Sequence, residues 1–156
     1  MCADHVTAAV RSRIMASIKC KDTKPELAIR SILHGRGFRF RLHRGDLPGK
    51  PDLVFPRHDA VIFVHGCFWH GHDCHLFRMP KSRQDFWQGK ISRNSERDAA
   101  QQRMLAEGGW RVGTVWECAL MGRARLHVEE VGESCAAWLK SNKVELEVRG
   151  RERKEN

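Results

Sequence analysis

The sequence predicts an α/β domain in which helices flank a mixed β-sheet. Short runs of β-branched and apolar residues alternate with segments of helical periodicity, and turn residues separate them. The chain has 156 residues, of which 41% are hydrophobic and 30% are charged. This size and composition indicate one domain that buries a substantial core.

The first predicted helix lies within "DTKPELAIRSILHGRG". Thr23 and Glu26 have the spacing of a capping box there, and Pro25 lies in the first turn. Three strands follow, the first predicted by its period-two alternation. The third is apolar on both faces, which places it in the middle of the sheet. The predicted strands cover residues 38–42, 51–55 and 60–66.

The second half of the chain continues the alternation of helices and strands. Residues 86–109 have a helical pattern, in one piece or two, and end at a Gly-Gly pair. A strand is predicted at 110–117 and an amphipathic helix at 129–140. Residues 149–156 are charged and contain almost no apolar side chain, so we expect a disordered tail.

The net charge of +9 favours a polyanionic partner, most often a nucleic acid. The alternative is a basic protein that has no such partner. No stretch reaches the roughly 20 apolar residues of a membrane span, and the first 13 residues lack the apolar region of a secretory signal. We therefore expect a cytoplasmic protein that does not associate with a membrane.

A group of cysteines and histidines lies in the segment "VIFVHGCFWHGHDCHLF". Cys67, His72 and Cys74 are near neighbours, and two adjacent strands would bring Cys118 beside them. Three thiolates and one imidazole form a common ligand set of structural Zn²⁺. His75 could replace His72 in this set. Separate core thiols and surface histidines are the alternative interpretation.

A second group has the residue types of a hydrolytic centre. Asp52 begins one predicted strand, and Val64 and His65 end the next. A carboxylate and a backbone carbonyl are suitable ligands for Mg²⁺. His65 or His70 could then act as a base or proton carrier. The alternative is an aspartate that caps a turn, beside two solvated histidines.

Phe68 and Trp69 lie between these two groups. Exposed aromatic side chains on a rigid loop can insert at a base step or stack on bases. The alternative interpretation is that both rings cover the core.

Four motifs together resemble the very short patch repair endonucleases (Vsr type), which nick DNA beside T·G mismatches. They are "LPGKPDLV", "VIFVHGCFWHGHDCHLF", "FWQGKISRNSERD" and "GWRVGTVWECAL", in this order, within residues 7–138. "HGCFWH" followed by His-x-Cys and a distant "WECAL" is highly specific. The resemblance implies the restriction-endonuclease-like fold with a structural zinc site. It also implies one endonuclease domain over residues 1–148, whose arm at 1–22 becomes ordered on DNA.

The resemblance also assigns residues to roles. It places structural zinc on Cys67, His72, Cys74 and Cys118, which selects His72 over His75. The implied active site consists of Glu26, Asp52, the backbone carbonyl of Val64, His65 and His70, with Mg²⁺ on Asp52 and Val64. The implied DNA contacts are Met15, Phe68, Trp69, Lys90 and Asn94. Two positions depart from the family pattern, since Val64 stands where threonine is common and Gly71 replaces one histidine of a run.

The implied reaction is an Mg²⁺-dependent nick 5′ of the T in a T·G mismatch that arises from deaminated 5-methylcytosine. The implied protein is a nucleoid-associated monomer that works alongside a cytosine-5 DNA methyltransferase. Two other functions stay open from the residues alone. One is a non-catalytic, zinc-stabilised DNA-binding module. The other is a type II restriction endonuclease, which would cut both strands of matched DNA.

Overall fold

A computed structural model describes residues 22–152, so Met15 and nearly all of the predicted arm lie outside the described residues. The helices are α1 (Lys24–Gly35), α2 (Gln84–Glu107) and α3 (Val128–Lys140). The strands are β1 (Arg41–Leu42), β2 (Leu53–Phe55), β3 (Ala60–His65), β4 (Arg111–Trp116) and β5 (Glu145–Val148). Among these residues, no helix is long and apolar enough to cross a membrane.

The five strands form one mixed sheet in the order β1-β2-β3-β4-β5. The first three strands are antiparallel, whereas β3, β4 and β5 run parallel. Alternate residues of β3 face opposite sides. Ile62 packs with α1 and α3, whereas Val61 and Phe63 pack with Leu105 of α2. The predicted α/β class, with helices on both faces of a mixed sheet, is therefore confirmed.

The central strand β3 sets the position of the site. It pairs with β2 on one side and with β4 on the other, and its first four residues are buried. In the parallel register His65 lies opposite Trp116. The chain leaving β3 and the chain leaving β4 therefore emerge side by side at the same end of the sheet.

The predicted cap of α1 is present in a modified form. The Thr23 hydroxyl accepts a hydrogen bond from the Glu26 amide at 3.4 Å, as the capping box requires. The Glu26 carboxylate instead accepts from the amide of Asp22, one residue before the N-cap, at 3.0 Å. Glu26 is only 2% exposed, because the helix turns it inward toward the site.

Two strand predictions were incomplete. Only Arg41–Leu42 of the predicted 38–42 strand pairs in the sheet. Phe38 and Phe40 instead pack their rings on Phe55, with centroids 6.3 and 5.5 Å away, so core packing overrides the alternation. The edge strand β5 was not predicted, because its charged and half-exposed residues have little apolar signal.

Helix α2 is a single helix of 24 residues. The C-terminal segment is ordered beyond its predicted boundary at residue 149. Arg149, Gly150 and Arg151 all make hydrogen bonds, and Gly150 is buried. Residues 153–156 of the predicted tail lie outside the described part of the chain.

Candidate active site and metal centre

The structure brings the four predicted zinc ligands together. Cys67, His72, Cys74 and Cys118 each offer one ligand atom, and these atoms all lie within 4.8 Å of one another. The loop after β3 supplies the first three, and the turn after β4 supplies the fourth. We call this set the Cys₃His cluster.

The local contacts of the cluster fit a metal ion. The Cys118 amide donates to Cys67 Sγ at 3.4 Å, and Cys118 Sγ lies 3.6 Å from His72 Nδ1. All three cysteines are free thiols. Burial raises the pKa of the Cys67 and Cys118 thiols, so thiolates at this position need a compensating cation. Zn²⁺ supplies that charge and prefers this donor set.

Trp116 holds the plane of the His72 ring. The two rings stack with centroids 4.0 Å apart and planes 8° apart. In this plane Nδ1 of His72 faces Cys118, while its buried Nε2 has no hydrogen-bond partner. His75 does not belong to the cluster, and it lies beside Gly122 instead.

Asp52 lies next to the end of β3, as the paired strands predict. Its Oδ2 accepts a hydrogen bond from the Val64 amide at 2.7 Å. Its Oδ1 lies 3.7 Å from His43 Nδ1. Burial raises the pKa of Asp52 to about 7, and the nearby Glu26 carboxylate adds to this effect. A desolvated carboxylate of this kind fits a site for a divalent cation.

His65 and His70 stack on each other, with ring centroids 3.8 Å apart and planes 6° apart. Burial, together with the proximity of His70, lowers the pKa of His65 to about 3. His65 is therefore neutral near pH 7. One ligand atom each of His65, His70 and Asp98 also lie within 4.8 Å of one another. The two stacked rings can therefore act on protons and water, or bind a cation together with Asp98.

Helix α2 fixes the loop that holds His70. The Asp98 carboxylate forms a short contact with His70 Nδ1, and the Ser95 hydroxyl donates to the His70 carbonyl at 3.2 Å. Asn94 donates to the Trp69 carbonyl at 3.0 Å. The sequence motif contains Asp98, but a role for it was not predicted. Within that motif, the indication of a role is that Asp98 lies one helical turn after Asn94.

The backbone and the surroundings of Gly71 both disfavour a side chain at this position. Its φ is +63°, and a Cβ there would approach Cγ2 of Ile91 to 2.7 Å. A histidine at this position would therefore require Ile91 or the loop to move.

An ion-pair chain connects α1 with Asp52. Arg30 donates to the Glu26 carboxylate at 3.0 Å and lies 2.7 Å from Asp22. The same guanidinium lies 2.9 Å from His43 Nε2, and His43 is the residue beside Asp52. Glu26 thus contacts the N-terminus of α1 and is connected with Asp52 through Arg30 and His43. Sequence reasoning missed Arg30 and His43, since neither belongs to a recognised motif.

Phe68 and Trp69 lie in a half-buried aromatic cluster with Phe77 and Trp87. Trp87 lies in α2, with its ring centroid 5.5 Å from Phe68 and 5.9 Å from Trp69. The ammonium of Lys90 lies 5.8 Å from the Trp69 centroid, as in a cation–π contact. In this structure the rings contact one another beside the histidine loop.

The amide of Asn94 is already engaged at both ends. It donates to the Trp69 carbonyl, and its oxygen accepts from Arg97 at 3.2 Å. Contact with a DNA base would require at least one of these bonds to be exchanged.

Comparisons with known proteins agree with this arrangement. A family model described as DNA mismatch endonuclease Vsr matches residues 3–76. The "DNA mismatch endonuclease Vsr" of Escherichia coli is 46% identical over 137 residues, which cover 88% of each chain. The "Type II nicking enzyme V.XorIIP" of Xanthomonas oryzae pv. oryzae is 52% identical over 117 residues, covering 75% of this chain and 86% of that protein. The "Type II nicking enzyme V.NmeAIP" of Neisseria meningitidis is 44% identical over 121 residues, with coverage of 78% and 86%.

Proposed function

The chain belongs to the Vsr family of DNA endonucleases, and we propose that it nicks one strand of duplex DNA 5′ of the T in a T·G mismatch. Deamination of 5-methylcytosine produces this mismatch. The observation that best supports the proposal is the loop from His65 to Cys74. It contains two stacked histidines, two aromatic residues of the cluster and three metal-ligand candidates, and it follows directly after Val64, whose amide donates to Asp52.

Two metals have separate roles in this proposal. The Cys₃His cluster would hold structural Zn²⁺, which fixes the loop at both ends. Asp52 and the Val64 carbonyl would hold Mg²⁺. When bound, Mg²⁺ polarises the scissile phosphate and stabilises the charge that develops on it. The raised pKa of Asp52 fits this role, because the buried carboxylate gains from a nearby cation.

His70 is the proposed general base. Asp98 faces its Nδ1, which favours a proton on that nitrogen and leaves Nε2 free to accept one. Nε2 would take a proton from the attacking water. His65 stays neutral and stacked on His70, where it orients a second water at the phosphate. The products would be a 3′-hydroxyl and a 5′-phosphate. Glu26, linked to Asp52 through Arg30 and His43, would orient the same site from α1.

The aromatic cluster is the proposed mismatch sensor. Phe68 and Trp69 would open their contacts with Trp87 and insert beside the wobble pair, which costs less to unstack than a matched pair. Met15 would press from the opposite groove, and Lys90 and Asn94 would contact bases in the major groove. Phosphate contacts from a protein of net charge +9 would supply affinity for any duplex.

The proposal also defines the biological setting. The chain would act as a monomer on nucleoid DNA in the cytoplasm. A cytosine-5 DNA methyltransferase would create the 5-methylcytosine whose deamination gives the substrate, so the preferred flanking bases would match those of that enzyme.

The deciding experiment is a nicking assay on duplexes with a different label on each strand. We expect Mg²⁺-dependent cleavage of the T-containing strand in the T·G duplex and no cleavage of the matched duplex. Cleavage of both strands of matched DNA would favour a restriction endonuclease. Binding of the T·G duplex with no cleavage at any Mg²⁺ concentration would favour a non-catalytic binding module.

A further inference from the structure

The segment that follows β5 crosses the Cys₃His cluster. The Gly150 amide donates to Cys118 Sγ at 3.3 Å, and the Arg149 guanidinium donates to the Asp73 carbonyl at 2.6 Å. Asp73 lies between the ligands His72 and Cys74. The Arg151 amide donates to the Ala124 carbonyl at 2.7 Å. One short segment therefore touches both parts of the chain that supply metal ligands.

We propose that Arg149 and Gly150 are positioning residues for the metal ligands and that they slow the release of zinc. The inference rests on the zinc part of the proposed function. Neither residue is a ligand. Gly150 acts on the sulfur of Cys118, and Arg149 acts on the loop between His72 and Cys74. We call Arg149 and Gly150 the C-terminal clamp.

The parallel pairing of β4 and β5 delivers the clamp to the cluster. Val115 of β4 lies opposite Val148 of β5. Cys118 follows Val115 by three residues, and Gly150 follows Val148 by two. The register of the two strands therefore places the Gly150 amide at the Cys118 sulfur, without any long side chain having to reach it.

Only glycine allows the approach at position 150. A Cβ on Gly150 would lie 2.5 Å from the Cys118 carbonyl oxygen and 2.9 Å from the Ala124 carbonyl oxygen. Both neighbours are backbone atoms, so they cannot rotate away as a flexible side chain would. Any larger residue must move the segment outward and lengthen the N–H···S hydrogen bond.

The contacts of the clamp stabilise the negative charge of the zinc-loaded cluster. Zn²⁺ with three thiolates and a neutral imidazole has a net charge of −1. An amide N–H that donates to a coordinated sulfur stabilises the negative charge on that sulfur. The Arg149 guanidinium adds a positive charge beside the loop while it holds the Asp73 carbonyl. Loss of either contact therefore raises the free energy of the zinc-loaded form.

The test compares zinc release from three purified zinc-loaded variants with release from the wild type. Gly150→Ala removes the close approach, and Arg149→Ala removes the bond to Asp73. Arg151→Ala is the matched control, because it keeps the backbone amide and loses only a side-chain pair with the exposed Glu130. A chromogenic zinc chelator in excess reports the rate of release, and circular dichroism reports the folded state.

We expect Gly150→Ala to release zinc about 10- to 100-fold faster than the wild type, the usual cost of losing a contact to a metal ligand. Arg149→Ala should show a smaller acceleration, and Arg151→Ala should match the wild type. Release from both Gly150→Ala and Arg149→Ala within twofold of the wild-type rate would overturn the inference. If Gly150→Ala does not fold, Arg149→Ala decides the question on its own.

A spectroscopic measurement separates the clamp from general loosening of the fold. With Co²⁺ in place of zinc, the thiolate-to-metal absorption band reports the hydrogen bonds to sulfur. We expect the band to shift in Gly150→Ala and to stay unchanged in Arg151→Ala. An unchanged band in Gly150→Ala would argue against the N–H···S bond. Wild-type protein that contains no stoichiometric zinc would instead contradict the zinc site of the proposed function.

Discussion

The Cys₃His cluster and the proposed catalytic group of Asp52, His65 and His70 are neighbours, but they are assembled in different ways. The four residues of the cluster lie on one loop and one turn, which follow the paired strands β3 and β4. The proposed catalytic group is contacted from three other parts of the chain, namely α1, the segment after β1 and α2, which supply Glu26, His43 and Asp98. Loss of one ligand should therefore abolish zinc binding and folding together. Loss of one contact to the proposed catalytic group should instead reduce nicking only in part.

The largest expected effect is the loss of a zinc ligand. Structural zinc contributes on the order of 10 kcal/mol to folding, which is comparable with the whole stability of a small domain. Cys118→Ser should therefore abolish both zinc binding and cooperative folding. Metal analysis and thermal unfolding measure the two effects.

The matched control for this prediction is Cys135→Ala. Cys135 is a fully buried thiol in the core, away from the cluster. This variant should keep one equivalent of zinc and lose only about 1–2 kcal/mol of stability. Cys118→Ser protein that folds normally without zinc would contradict the structural role of the metal.

The difference between the two sites explains how much of each was predictable. Residue type indicated a Cys₃His set, but spacing left His72 and His75 open, and only the family resemblance selected His72. The structure brings one candidate ligand atom of each of the four residues within 4.8 Å of the others. His43 and Arg30 act through side-chain geometry between distant segments, and an isolated histidine or arginine has no distinctive local pattern. The same reason explains why β5 was missed. It is defined by pairing with β4 more than by its own composition.

The next largest effect concerns Asp52. Asp52→Asn should reduce nicking by about a thousandfold, since charge stabilisation by the metal amounts to several kcal/mol. The asparagine side chain can still accept from the Val64 amide, so folding, zinc content and DNA binding should change little. Single-turnover nicking with saturating enzyme measures the effect. Retention of most of the rate would place the catalytic metal elsewhere.

Asp52→Asn should increase the stability of the fold at high pH, although it decreases nicking. The pKa of Asp52 is about 7 in the folded chain, above the value near 3.9 of an unfolded aspartate. The folded state therefore holds the proton more tightly, and Asp52 makes stability fall as pH rises between these two values. Without Mg²⁺, Asp52→Asn should be more stable than the wild type at pH 8, and this difference should be smaller at pH 6. Chemical denaturation of the zinc-loaded protein at both pH values tests it.

A smaller effect is expected from the aromatic cluster. Stacking of a base on an aromatic side chain contributes roughly 1–3 kcal/mol. Trp69→Ala should therefore weaken binding and nicking of T·G DNA about tenfold to a hundredfold, while matched-duplex binding changes little. Salt titrations on both duplexes measure this.

Arg93→Ala, on the exposed surface of α2, is the charge control and should affect both duplexes alike. Equal weakening of both duplexes by Trp69→Ala would mean that Trp69 only supports the fold.

The smallest effect should come from His43, which tests whether loss of one contact to the proposed catalytic group reduces nicking only in part. Arg30 has only donors, so His43 Nε2 must accept from it at 2.9 Å, and the proton then lies on Nδ1, 3.7 Å from Asp52 Oδ1. This is a long and partly exposed contact, so it should contribute about 0.5–1 kcal/mol. A free energy of this size corresponds to a roughly two- to fivefold change in affinity. His43→Ala should therefore raise the Mg²⁺ concentration for half-maximal nicking by that factor. The rate at saturating Mg²⁺ should stay nearly unchanged. His43→Gln, which can still donate, should have a Mg²⁺ midpoint between those of the wild type and His43→Ala.

Arg39→Ala is the control for this prediction. Its guanidinium bonds to the His34 and Phe38 carbonyls, so the substitution should leave the Mg²⁺ midpoint unchanged. A lower maximal rate with an unshifted Mg²⁺ midpoint in His43→Ala would show that His43 acts on a step other than the positioning of Asp52.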